Sequence, residues 1–76
     1  MNKMIKFYIE FKSENNLFKA VVPAKNLGQA IIIAWQMVKP YAANAGENVL
    51  NYEMNSRRAD KSEEYGWKLE ELNKED

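Results

Sequence analysis

Asn26-Leu-Gly-Gln-Ala-Ile-Ile-Ile-Ala-Trp-Gln-Met-Val-Lys39 is the stretch that decides how this chain folds. Leu27, Ala30, Ile31, Ala34, Val38 and, beyond the proline, Tyr41 recur every three or four residues, which places them on one face of an α-helix. Asn26 is a natural N-cap, and Gln29, three residues later, can reach back as in a capping box. Pro40 forces Lys39 away from helical angles, so the spacing predicts a helix over 26–39. Pro40 to Gly46 then offers one more short turn, with proline at its first position and glycine at its stop.

Upstream, Ile5, Phe7, Ile9 and Phe11 alternate with Lys6, Tyr8, Glu10 and Lys12, the period-two pattern of a strand with one buried face. Ser13 to Asn16 are turn formers, and Phe18, Ala20 and Val22 then alternate with Leu17, Lys19 and Val21. A hairpin across that turn sets Phe11 against Phe18, Ile9 against Ala20 and Phe7 against Val22, with Glu10 opposite Lys19 and Tyr8 opposite Val21 behind them. A slip of one residue would pair apolar positions with charged ones, so the pattern pins the register. Pro23, without a backbone donor, suits the exit of a strand.

Downstream, Leu50, Tyr52 and Met54 alternate with Asn51, Glu53 and Asn55. Ser56 to Glu64 reads as an exposed polar loop, and Tyr65, Trp67 and Leu69 alternate with Gly66, Lys68 and Glu70. Two readings of residues 47–72 stand: a second hairpin pairing Met54 with Tyr65, Tyr52 with Trp67 and Leu50 with Leu69, or a strand followed by a terminal helix capped by Ser62. The strand is preferred for 65–69, because Gly66 costs a helix about 1 kcal/mol and Trp67 would sit off its stripe. The expected architecture is α+β: one domain over 1–76, with a hairpin in 1–24, the helix, and 47–72, in the order ββαββ. A four-stranded, mainly antiparallel sheet carries the helix on one face.

Composition narrows the chemistry. The 76 residues are 46% apolar and 12% aromatic, enough for a core despite 29% charged residues. Cysteine and histidine are both absent, which removes thiolate and imidazole nucleophiles, the usual soft metal ligands and the neutral-pH proton carrier. No enzyme, metal site or cofactor is expected. Net charge is zero, but residues 1–40 carry six lysines against Glu10 and Glu14, while 62–76 carry six acids against Lys68 and Lys74; that polarity could steer a charged partner. The charge-free run from Asn26 to Val38 is shorter than the roughly 20 residues a membrane span needs. Lys6 and Glu10 interrupt what a signal peptide would need as its apolar core. The expected setting is the cytoplasm, away from membranes.

Three sets of residues are candidates for recognition. Arg57, Arg58 and Lys61 in the polar segment suit carboxylate or phosphate groups of a partner, and glutamates at Arg57 and Arg58 should weaken binding with little change in stability. Ile32 falls near 140° from Leu27 on the helix, on its polar side, and Trp35 at the flank of the stripe, so the two could meet a protein partner or a second copy of the chain. Tyr8 among Lys6, Lys12 and Lys19 on the open sheet face could stack a base and neutralise phosphates. Glu10 within that patch and the zero net charge count against nucleic acid.

The size, the lysine-coated opening hairpin and the passage from Ala20-Val-Val into Asn26-Leu-Gly-Gln-Ala-Ile-Ile-Ile-Ala resemble the layout of small phage-encoded inhibitors of bacterial defence, anti-CRISPR proteins among them. The likeness covers the first half of the chain and is one of architecture, so it assigns no residue a role. It implies a non-enzymatic protein that binds a large host nucleoprotein complex and blocks it. An antitoxin-like adaptor and a single-stranded nucleic-acid-binding domain remain the alternatives.

Overall fold

Two strands, β1 (Ile5–Lys12) and β2 (Asn16–Ala24), form the centre of the molecule as an antiparallel hairpin. Its register is the one the alternation requires: Phe11 faces Phe18, Ile9 faces Ala20, Phe7 faces Val22, and Glu10 faces Lys19. Ser13 closes the turn, its N–H donating to the Asn16 carbonyl (2.8 Å) while its Oγ accepts from the Asn16 N–H (3.0 Å). The computed structural model describes residues 3–44, 46 and 51–72.

The helix α1 (Leu27–Asn44) crosses this hairpin and buries Ala30, Ala34, Val38 and Ala42, four residues apart. Three alanines in that stripe let the helix axis approach the aromatic face of the sheet, where Ile9 and Phe18 are fully enclosed. Asn26 is the cap: its Oδ1 accepts from the Gln29 N–H at 2.9 Å. The Gln29 side chain reaches back as expected, but one residue further, to the Lys25 N–H at 2.7 Å.

The helix does not end at Lys39. It passes through Pro40 and runs to Asn44, so the segments expected at 26–39 and beyond Pro40 are one continuous element. Pro40 is exposed, which leaves its ring and the forfeited hydrogen bond on the solvent side. Continuation buries Ala42 and sets Tyr41 against Phe18, 6.1 Å between ring centroids, a gain that offsets the proline. Gly46, at φ +72°, then stops the chain, its N–H donating to the Ala43 carbonyl.

The last two strands, β3 (Glu53–Arg58) and β4 (Gly66–Glu71), are not a hairpin with each other. β3 pairs with β1 and β4 with β2, both antiparallel, giving the sheet order β3-β1-β2-β4. The expected pairing of Met54 with Tyr65 and Tyr52 with Trp67 is replaced by Met54 with Phe11 and Trp67 with Ala20; the third expected pair involves Leu50, which lies outside the described residues. The central hairpin offers two edges of unpaired peptide groups, and one strand on each satisfies both. Within residues 65–72, Gly66–Glu71 is strand rather than helix, opened by Gly66 at φ +147°, a conformation that disfavours a side chain. The fold is thus α+β with the order ββαββ, as the sequence implies.

Backbone direction along β4 follows from one bond. The Leu72 N–H donates to the Asn15 carbonyl at 2.8 Å. By alternation Lys68 and Glu70 turn their peptide groups inward to β2, and Trp67, Leu69 and Glu71 turn theirs outward. On β2 the same alternation aims the position of Pro23 past the start of β4, so the strand continues through the proline without losing a ladder bond.

Candidate interaction site

The face of the sheet away from the helix carries Lys6, Tyr8, Glu10, Lys12 and Lys19, as the alternation implies. Arg57 joins them. It sits within β3 opposite Tyr8, not in a loop, and its guanidinium lies 4.3 Å from the centroid of the Tyr8 ring. Its Nη1 and Nη2 grip Glu63 at 2.7 and 3.3 Å. The segment 59–65, which carries the chain from β3 to β4, is thereby drawn over the end of the sheet, where the Lys6 ammonium donates to the carbonyls of Lys61 and Glu63.

This face is internally satisfied. The Tyr8 hydroxyl donates to Glu10 at 2.8 Å, and Asn55 donates to the other carboxylate oxygen. Burial, and then the Glu10 hydrogen bond, push the Tyr8 phenol up to about 12. The Arg57 hydrogen bond holds the Glu63 carboxyl below the ordinary range, and Lys68 and then Lys19 do the same for Glu70. Lys19 reaches Glu70 at 3.4 Å. Lys12 stands apart, exposed at the far end of β1 across from Glu53. Of the expected nucleic-acid patch, then, Lys6, Tyr8 and Lys19 are engaged with neighbours. Among the described residues no group of His, Cys, Asp or Glu side chains converges on a metal position, and no helix is long and apolar enough to cross a membrane.

The expected cationic cluster splits. Arg57 turns to the open face, Arg58 to the helix side, and Lys61 sits in the turn beyond β3. Arg57 and Arg58 border a groove of about 420 Å³ between the start of α1 and the edge strand β3, with Ile5, Phe7 and Leu27 as its apolar lining and Lys25 and Asn26 also part of it. Neither the Arg58 nor the Lys25 side chain is ion-paired among the described residues, and the first turn of the helix holds no acid. Ile32 is exposed as expected, at 57%, on the helix face turned from the sheet, so the fold does not bring it to the arginines. Trp35 is half-buried against the core with Lys39 over its ring at 5.0 Å.

Lys25, Leu27 and Ile5 escape a reading of the sequence because nothing local ties them to Arg58. The strand character of Glu53-Met-Asn-Ser-Arg-Arg is equally hidden, since it has no apolar alternation and earns its pairing from β1. The groove and the sheet belong to a small α+β domain. No protein-family model, curated protein or solved structure matches the chain.

Proposed function

We propose that the chain is a non-enzymatic protein-binding module that takes an acidic segment of its partner, bearing an apolar side chain, into the groove between α1 and β3. The observation that carries this reading is that Arg58 and Lys25, two cations without carboxylate partners among the described residues, line the same groove as Ile5, Phe7 and Leu27. Desolvated arginine against a carboxylate gives directional, charge-assisted hydrogen bonds, and Ile5 and Leu27 supply area to bury. The engagement of Tyr8, Lys6, Lys19 and Arg57 with neighbours on the open face favours a protein over a nucleic acid. That the partner is a large host complex, blocked by an inhibitor of phage origin, is a proposal that rests on the architectural resemblance alone.

The test is capture of partners from bacterial lysate with tagged wild type and with the Lys25→Glu/Arg58→Glu variant, each with and without nuclease. A stoichiometric protein that survives nuclease and is lost with the variant supports the reading. Recovery of nucleic acid, or a partner held equally by the variant, overturns it.

A further inference from the structure

The outer margin of β4 differs from the other exposed surfaces among the described residues. Among the described residues its backbone is hydrogen-bonded on the β2 side only, and Trp67, Leu69 and Glu71 aim their peptide groups away from the sheet. On the helix side of the strand Trp67 and Leu69, followed by Glu71, remain exposed, the first two at 46% and 40%. On the other side Lys68 and Glu70 alternate in sign, 3.3 Å apart. Edge strands are normally blunted by charge, proline or a bulge on the exposed margin, and this one presents an apolar row.

We propose that β4 pairs antiparallel with β4 of a second copy of the chain, about a two-fold axis at Leu69, to make a continuous eight-stranded sheet. The strand is complementary to itself in that register. Leu69 faces Leu69 and exchanges both backbone hydrogen bonds with it, Trp67 and Glu71 do so with their mates, and each Lys68 stands opposite a Glu70 of the other copy. Moving the axis to Lys68 would set lysine against lysine, which fixes the register by charge. Because the axis is normal to the sheet, both helices fall on one side, and the two Leu69 side chains meet in the trough between them, each Trp67 lying opposite the Glu71 of the other copy. This inference is independent of the groove at β3, which lies at the opposite edge.

The test is the molar mass of the intact chain by light scattering across a dilution series. Wild type is expected to be a dimer that dissociates on dilution. Lys68→Glu and Glu70→Lys each bring like charges together twice across the axis and should weaken dimerisation about tenfold. An equimolar mixture of the two should recover a mixed dimer, because every opposed pair is then of opposite sign. Leu69→Cys gives a second readout, with circular dichroism confirming the fold: the chain has no other cysteine, and paired strands hold the two positions about 5.5 Å apart, within disulfide reach. Oxidant should close a covalent dimer. A wild type monomeric at every concentration, single variants that dimerise unchanged, a mixture that stays monomeric, or a Leu69→Cys chain that does not cross-link would each overturn the proposal.

Discussion

β3 and β4 occupy equivalent places at the two margins of one sheet, yet different forces hold them there. β3 has little to bury: Met54 is its one large apolar side chain, and it is 42% exposed. What anchors β3 beyond its ladder is Arg57, stacked on Tyr8 and clamped by Glu63. β4 is anchored by carbon, with Trp67 stacked on Phe18 at 5.8 Å and packed against Tyr41 at 4.6 Å. A short strand with too few apolar residues for an autonomous hairpin can therefore be fixed either by electrostatics on the open face or by aromatic contact on the helix face. The choice determines which margin stays greasy.

Truncating the aromatic anchor is the strongest way to break the contrast. Trp67→Ala should cost about 2 kcal/mol in urea unfolding, roughly half of what a fully buried tryptophan loses. Met54→Ala at the other margin should cost less than about 1 kcal/mol. Equal losses from the two would dissolve the distinction.

Removing the electrostatic anchor should be milder. Arg57→Ala is expected to lower the melting temperature by less than Trp67→Ala does, and to raise amide exchange in 59–65, whose hold on the open face it releases. The expectation from the sequence that both arginines can be reversed without cost applies to Arg58 alone. Arg58→Ala should change stability by no more than about 0.5 kcal/mol.

Each margin also has its own acid response. Glu63 near β3 and Glu70 on β4 have folded values held below the ordinary carboxylate value. Their contribution is complete above that unfolded value and is lost as pH falls through the folded one. Glu63→Gln and Glu70→Gln should each flatten part of the fall in melting temperature below about pH 4.5. Neither should alter it at neutral pH by a pH-dependent amount.

The smallest effect lies at the alkaline end. The Tyr8 phenol, raised to about 12 from 10.0, contributes stability that is present below 10 and lost as pH rises through its folded value. By the phenolate absorbance that Tyr8→Phe removes, it should ionise above 10, and Glu10→Gln should lower its value. A Tyr8 that titrates near 10.0 would mean that its burial and its hydrogen bond to Glu10 do not persist in solution.

How much of this is legible in the chain depends on where the signal lives. The β1–β2 register is local: alternation over Ile5–Phe11 and Phe18–Val22 admits one alignment without burying lysine. The buried helix stripe and the exposure of Ile32 follow from 100° steps in the same way. Pro40 misleads, because whether proline breaks a helix depends on which side its ring faces and on what Tyr41 and Ala42 gain beyond it. The pairing of β3 and β4 is hidden for a different reason. Their partners lie some fifty residues away, and the apparent match between Tyr52-Met54 and Tyr65-Trp67 is only a shared period. The separation of Arg57 from Arg58 follows from that hidden pairing, since adjacent residues part company only once the segment is known to be a strand.

Every buried residue among those described lies between Phe7 and Ala42. A nascent chain that has left the ribosome as far as Asn44 already holds every described side chain that it will enclose. β3 and β4 then arrive as late covers for an interior whose side chains are already made, one on each flank. Until the second arrives, the rim of β2 and the ring of Phe18 stand open to the cell, so for a growing chain the hazardous interval is the synthesis of its final quarter.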